Sequence, residues 1–437
     1  MDKIESIFEQ YINDLKQLIE IPSVLDEDSD MFPFGENVQK ALEKMLEISQ
    51  KIGFSTYIDP DGYYGYADIG EGEMFGVLGH LDVVPTGSLD NWNTDPFKLI
   101  RKDGKLYGRG TQDDKGPTLA AMYALKLLID NGFKLSKKVR FIFGTDEESL
   151  WRGIAKYQEK EEMPKSGFSP DSTFPLVYAE KGLLQCILKG KSSGIVFSGG
   201  DAFNSVPSKV KYTLDHKDEF KKNLEENGFE FSDDLEVIGK AVHAQVADTG
   251  INAITRTFIA MKEICPNSNA INFVCETFGE DANATTIFGD LSDEFSGKLM
   301  FNLGKFNFNN ESEELSIDIR IPVTIEKEVV VEKLTEIANK YGLEYNEYDW
   351  LRSIYVPKDS KLIANLMAAY QEVTGDMESE PKSSGGATYA RAMDNCVAFG
   401  AVLKNSSKTE HQPNEHVVEE DIKVAMKIYM KAFEKLV

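Results

Sequence analysis

The sequence has no long apolar run. No segment of its 437 residues approaches the ~18 consecutive apolar residues of a membrane-spanning helix. It also has no Cys-x-x-Cys pair. The four cysteines, Cys186, Cys265, Cys275 and Cys396, are scattered and are expected as free thiols in a reducing cytoplasm. Basic residues are in the minority: Lys plus Arg number 48 against 73 Asp plus Glu, a net charge of −25. That balance argues against nucleic acid, whose binding needs basic surface to replace phosphate counterions, and against anionic membranes. A strongly solvated surface accounts for the charge, and attraction of metal ions is a second use for it. No signal peptide is expected at the start of this sequence either, since acids interrupt the helically spaced Ile4, Ile7, Phe8, Tyr11, Leu15, Leu18 and Ile19. Without secretion, the sequons at Asn283, Asn310 and Asn405 carry no meaning. Asp26, Asp28 and Asp30 look like the start of a calcium loop, but Met31 stands where glycine is needed and Asn37 where Glu is needed.

What is present is a rhythm of strands and helices. Hydrophobic residues make up 41% of the chain, the share of an ordinary soluble globular protein, and the length predicts two to three domains. Helices are expected over about 1–19 and 36–52, strands over 54–58 and 63–68, and a buried strand over 74–84. A helix follows Pro117 up to a C-cap at Gly132, and a β-rich run covers 138–149. This alternation implies an α/β domain with helices packed on a sheet. The character then changes. Alternating strands (LLQCILKG, SIDIRIPV), helical runs near 250–264 and 325–341 and a strand-like GLEYNEYDW predict a separate α+β domain. After Val356-Pro357 the α/β pattern returns, with a helix over 359–373, a strand over 394–401 and a last helix over 419–435. The predicted domains are thus 1–183 joined to 353–437, with 184–352 inserted.

Histidine is scarce, so the settings of His80, His216, His243, His411 and His416 carry information. His80 ends an apolar run and is followed by Asp82, two residues on; strand alternation would point both the same way. A metal-bound imidazole needs its second nitrogen held by an acceptor, and a carboxylate serves; a buried structural His–Asp pair would leave the same trace. In YGRGTQDDKGP, Asp113 and Asp114 lie in a Gly-rich turn before a helix, where Asp is also a common N-cap. A phosphate loop is excluded there, because Lys-Ser/Thr is missing and acids repel phosphate. In FIFGTDEES, a strand delivers Asp146, Glu147 and Glu148 together. Such crowding of like charge is costly unless a cation binds, although a solvated acidic loop would read the same way. Neighbouring Glu residues diverge, so one can ligate a metal while the other reaches an attacking water. Asp171 sits in a loop after Pro170, a place where Asp often serves only the turn. His411 and His416 flank Pro413 and are too far apart to share a helix face, so at most one is a ligand. The combined nitrogen and oxygen donors suit Zn²⁺, Co²⁺ or Mn²⁺ better than Ca²⁺.

Taken in order, these motifs resemble the co-catalytic di-zinc peptidases that include PepV-like dipeptidases, carnosinases, aminoacylases and succinyl-diaminopimelate desuccinylase. The resemblance runs over nearly the whole chain and is nearest to the PepV-like dipeptidases through PFGENVQKALEKM, GHLDVVPTG, LYGRGTQDDKGP, GTDEES and GFSPDSTFPLVYAEKG. It implies a mixed-sheet α/β catalytic domain with an inserted α+β lid, two divalent ions (Zn²⁺ foremost, with Mn²⁺ or Co²⁺ as alternatives) and short unblocked peptides as substrates. It implies that His80, Glu148 and Asp171 are terminal ligands, that Asp113 bridges the ions and that His411 completes the second site. Asp82 would tune His80, and Glu147 would be the general base. In the lid, GKAVHAQVADTGINAI matches the segment whose histidine stabilises the oxyanion, which assigns His243 that role with Asn204 beside it. Arg320 would hold the substrate carboxylate, aided by backbone donors of SSGGATYAR at Gly385 and Gly386. Arg320 as a structural ion pair and Asn204 as a turn residue remain open. One departure is the loss of the usual proline around Val246–Asp248. A covering lid within one chain implies a monomer. The rival expectations are an N-acyl-amino-acid or succinyl-diaminopimelate-type deacylase and, from another class, a catalytically silent metal-binding protein.

Overall fold

The computed structural model describes residues 4–29 and 31–437; the first residues of the helix expected from residue 1, and Asp30 of the calcium-like run, lie outside them. The chain divides into two units. One contains the residues up to Tyr178 together with Tyr355–Lys382 and Thr388–Val437, and the other contains Ala179–Ile354 and Ser383–Ala387. The cuts therefore fall a few residues from 183 and 352, and the stretch carrying Gly385 and Gly386 groups with the second unit.

The first unit is built on a mixed sheet. Its strands run in the spatial order Ser55–Ile58, Gly65–Ile69, Lys138–Gly144, Met74–His80, Ser166–Ser169 and Cys396–Ala398. The first two pairings are antiparallel, and the next three are parallel. Met74–His80 has parallel neighbours on both sides and is buried at every position, which is why it reads as an unbroken apolar run rather than an alternating one. Helix Lys115–Asp130, whose sequence is apolar almost all round, packs against Glu5–Ile19, Glu419–Leu436 and the Met74–His80 strand. Pro117 lies inside its first turn, where the missing N–H is not needed. On the sheet, Phe168 is fully buried among the rings of Phe75, Phe399, Tyr429 and Phe433.

The second unit holds an antiparallel sheet in the order Phe197–Gly199, Met300–Phe308, Ser312–Ile321, Gly182–Lys191, Glu344–Leu351. Leu184, Cys186 and Leu188 alternate into a core with Leu315, Ile317, Ile319 and Ile321, which residues from Ala253–Met261, Asn269–Thr277 and Lys327–Lys340 complete. All four cysteines are free, and among the described residues no helix is long and apolar enough to cross a membrane.

Two expected strands are shorter than their apolar runs. The run over 74–84 stops as a strand at His80, where the Leu81 N–H donates to the Gly144 carbonyl (3.0 Å). The run over 138–149 stops at Gly144, so its acids lie in the turn beyond it. Helices Arg152–Lys160, Lys217–Glu226 and Asn269–Thr277 have no counterpart among the expected elements. Lys217–Glu226 shows why: it buries only Phe220 and Leu224, too few apolar residues to establish a helical period.

Candidate metal centre

The parallel strands end side by side, and the residues just past their carboxyl ends form the site, as is usual for open α/β sheets. His80 is the last residue of its strand, paired with Gly144. Glu147 and Glu148 follow Gly144 after a short turn. Asp171 follows Ser166–Ser169, whose Ser169 hydroxyl donates to the Leu78 carbonyl (2.8 Å). Asp113 and Asp114 come from the turn before helix Lys115–Asp130, with a cis peptide between them. Gly79 lets that helix approach the strand; a Cβ there would lie 1.9 Å from Thr118 Oγ1.

Asp113 divides its carboxylate. Oδ1 is 2.8 Å from His80 Nε2, and Oδ2 is 3.0 Å from His411 Nε2. His80 Nε2 is also 3.7 Å from Asp171 Oδ2, and His411 Nε2 is 3.0 Å from Glu148 Oε1. Donor atoms of His80, Asp113 and Glu148 lie within 4.8 Å of one another, as do those of His80, Glu147 and Asp171. His80 Nδ1 meets the Asp82 carbonyl at 2.9 Å, while the Asp82 carboxylate is at 3.5 Å. Because the strand ends at His80, Asp82 reaches the ring from the turn and not by strand alternation. Its Oδ2 also accepts the Glu148 N–H (3.0 Å), so Asp82 ties two donor-bearing segments together. The acid triplet splits: Asp146 is buried and paired with Arg152 (2.7 Å), and only Glu147 and Glu148 join the cluster. Asp114 Oδ2 accepts from Thr118 Oγ1 (2.7 Å) and the His80 N–H (3.3 Å).

Burial, then the neighbouring carboxylates, push Glu147 and Asp171 well above the usual carboxylate range and push Glu148 upward. Burial opposes charging of His80 and His411, but their hydrogen-bonded acids outweigh it and raise both. Burial would raise Asp113 as well, yet the two imidazoles hold it far below its ordinary value. The cluster therefore draws in positive charge, and its mixed imidazole and carboxylate donors fit divalent transition ions.

A model of the peptidase family M20/M25/M40 matches residues 76–435. The chain belongs to that family. "Putative dipeptidase YtjP" of Bacillus subtilis (strain 168) is 35% identical over 460 residues, covering 98% of this chain and 97% of that protein. "Putative dipeptidase SH1171" of Staphylococcus haemolyticus is 34% identical over 468 residues, covering 100% of this chain and 98% of that protein. Human carnosine dipeptidase 1 has the same fold, with a TM-score of 0.64 at 15% identity over 99% of this chain and 97% of the other.

The second unit of this M20 peptidase brings together two groups of the residues singled out in its sequence. His243 and Asn204 are exposed neighbours: Ser205 bridges His243, and the Ala244 N–H donates to the Asn204 carbonyl (2.9 Å). The segment lacking proline forms a short 3₁₀ turn, Ala244–Thr249, broken at Val246 (φ −129°). Arg320 is buried, and its Nε and Nη2 grip both oxygens of Asp318 (2.6 and 2.9 Å) while Nη1 donates to the Gly385 carbonyl (2.8 Å). The Gly386 N–H donates to the Ser384 hydroxyl (2.9 Å). His416 stands apart from the metal cluster, with Nε2 3.1 Å from Lys105 Nζ.

Three site residues of this peptidase escaped the sequence reading. Tyr389 is fully buried, edge-on to His80 (centroids 6.3 Å apart) and Trp151 (4.9 Å), and its ring fills the space a Gly144 side chain would take. Gln112 and Glu415 are buried next to and near the donors Asp113 and His411. Tyr389 lies in SSGGATYAR, the segment matched for its backbone donors, but nothing singles out its ring, while Gln112 and Glu415 had one signal, their adjacency to candidate ligands.

Proposed function

We propose that this M20 peptidase is a metal-dependent dipeptidase acting on short unblocked peptides. The observation that carries the reading is Asp113, whose two oxygens face two different imidazoles, each with a further carboxylate beside it. His80, Asp171 and Asp113 would hold one divalent ion, and His411, Glu148 and Asp113 the other; Zn²⁺ is the first choice, with Mn²⁺ and Co²⁺ behind it. When bound, two such ions supply Lewis acidity at the scissile carbonyl and a water of lowered pKa.

The chain's own residues do the rest. Glu147 lies beside His80 and Asp171 without an imidazole of its own among the contacts described above, the place for a base that takes the proton from water and returns it to the leaving amine. Burial raises its carboxyl, and cations bound beside it would pull it back down. Asp82 holds the His80 ring and the Glu148 backbone in register. In the second unit, His243, assisted by Asn204, is assigned the developing oxyanion, and Arg320 with Gly385 and Gly386 the substrate carboxylate. The restriction to short peptides is assigned to this inserted unit. The names of the relatives that match over nearly all of the chain support the dipeptidase reading, the absence of paired cysteines suits the cytoplasm, and the monomer rests on the family resemblance alone.

The test is a panel of unblocked dipeptides assayed beside N-acetyl and N-succinyl amino acids. Hydrolysis of the dipeptides supports the reading. Exclusive cleavage of the acylated compounds would replace it with a deacylase, and no turnover of either class by metal-loaded protein would leave a metal-binding protein.

A further inference from the structure

The two half-sites are not held in the same way. His80 rides the end of a buried strand, and its Nδ1 is fixed by the Asp82 carbonyl. His411 has no such support. Residues 403–415 form no helix or strand, His411 has a positive φ of 60°, and half of its side chain faces solvent. Something other than regular secondary structure must set His411 against Asp113.

Gln112 and Glu415 do so reciprocally. Glu415 belongs to the His411 loop and is fully buried. Its Oε1 accepts the backbone N–H groups of Gly110 (3.0 Å), Gln112 (2.8 Å) and Asp113 (3.2 Å), and its Oε2 accepts from Arg109 Nη1 (2.7 Å). Gln112 belongs to the Asp113 loop. Its Oε1 accepts the N–H groups of Thr409 (2.6 Å) and Glu410 (3.0 Å), and its Nε2 donates to the carbonyls of Ser407 (3.1 Å) and His416 (3.3 Å). Both acceptor positions and both N–H donors of the amide are used, and the network fixes its orientation, because a flipped amide would set NH₂ against two N–H donors. Each loop thus carries the side chain that folds the other.

We propose that Gln112 and Glu415 are a clasp of positioning residues that sets Asp113 Oδ2 against His411 Nε2, and thereby governs the affinity of one ion of the pair, the one held by His411, Glu148 and Asp113. The inference rests on the two-ion reading above. An ion needs its donors in place together; a loosened loop must be ordered at the moment of binding, and that cost falls on the His411 side. Groups that hold a metal ligand in place typically change metal affinity by about 10–100-fold when removed.

The test is equilibrium dialysis of Zn²⁺ against the whole chain, with metal counted per chain. Gln112→Met keeps the length of the side chain and removes its four hydrogen bonds. The variant should hold one ion with wild-type affinity and bind the other about 10–100-fold more weakly. His411→Ala should bind one ion, and adding Gln112→Met to it should leave that ion's affinity unchanged, since the two substitutions strike the same half-site. Should circular dichroism show that Gln112→Met does not fold, Gln112→Glu keeps the acceptors for Thr409 and Glu410 while losing both donors, and the same one-sided loss is expected. Two wild-type constants, or an equal loss at both ions, would overturn the clasp alone. A wild-type chain binding fewer than two ions would overturn the two-ion reading and the clasp's role with it, a result visible without any variant.

Discussion

Asp113 Oδ2 lies 3.0 Å from His411 Nε2, while the other oxygen of the same carboxylate lies 2.8 Å from His80 Nε2. Residues 33 and 298 positions away from Asp113 in the chain are thereby joined through one side chain. In the proposed arrangement that carboxylate would stand between the two ions, and it is placed just before helix Lys115–Asp130.

Asp113→Asn removes the charge and leaves the shape. Both ions depend on this carboxylate in the proposed arrangement, so the variant should retain less than one ion per chain after dialysis, whereas His411→Ala should retain one. Elemental analysis of the dialysed proteins checks this. An Asp113→Asn chain that keeps two ions would contradict the bridging role.

Glu147→Gln should separate chemistry from metal binding. With the proposed base removed, kcat on a dipeptide should fall by about 10²–10⁴-fold, with metal content equal to that of the wild type. A drop in metal content parallel to the drop in kcat would make Glu147 a ligand instead.

Phe168→Ala addresses the scaffold. Phe168 is fully buried against four aromatic rings in the strand that leads to Asp171. Truncating a ring at such a site costs about 3–5 kcal/mol, which should appear as a lower denaturant midpoint with an unchanged slope. A cost below ~1 kcal/mol would mean that this cluster is not the core that holds the strand ends in place.

The residues of the cluster were legible in the sequence because these sit where a pattern breaks: His80 at the end of an apolar run, Glu147 and Glu148 after another, Asp113 in a Gly-rich turn. The central buried strand was legible too, since a strand covered on both faces leaves a continuous apolar run, whereas the mixed character of the sheet was implied only by the family resemblance. Strand ends were not legible. Val83 and Val84 extend the apolar pattern beyond His80, but the ladder makes its last bond from Leu81 N–H to the Gly144 carbonyl, and the Val83 N–H turns to the Ser23 carbonyl instead. The distinction between Asp146 and its two neighbours was also hidden, because it depends on Arg152 arriving from the following helix. Gln112 and Glu415 act on segments about 300 residues apart in the chain, a relation that single-sequence spacing cannot express. Arg320 is expected as a carboxylate binder with a structural pair left open; the bidentate contact with Asp318 and the bond to the Gly385 carbonyl mean that any substrate carboxylate would meet a guanidinium already engaged at all three nitrogens.

The most direct measurement is a metal titration of chelator-stripped protein, followed by the rate of dipeptide hydrolysis at each step. The two-ion account predicts no hydrolysis without metal and full activity only when about two equivalents per chain have been added. Full activity in the stripped protein, or a plateau reached at one equivalent with no further rise, would contradict it.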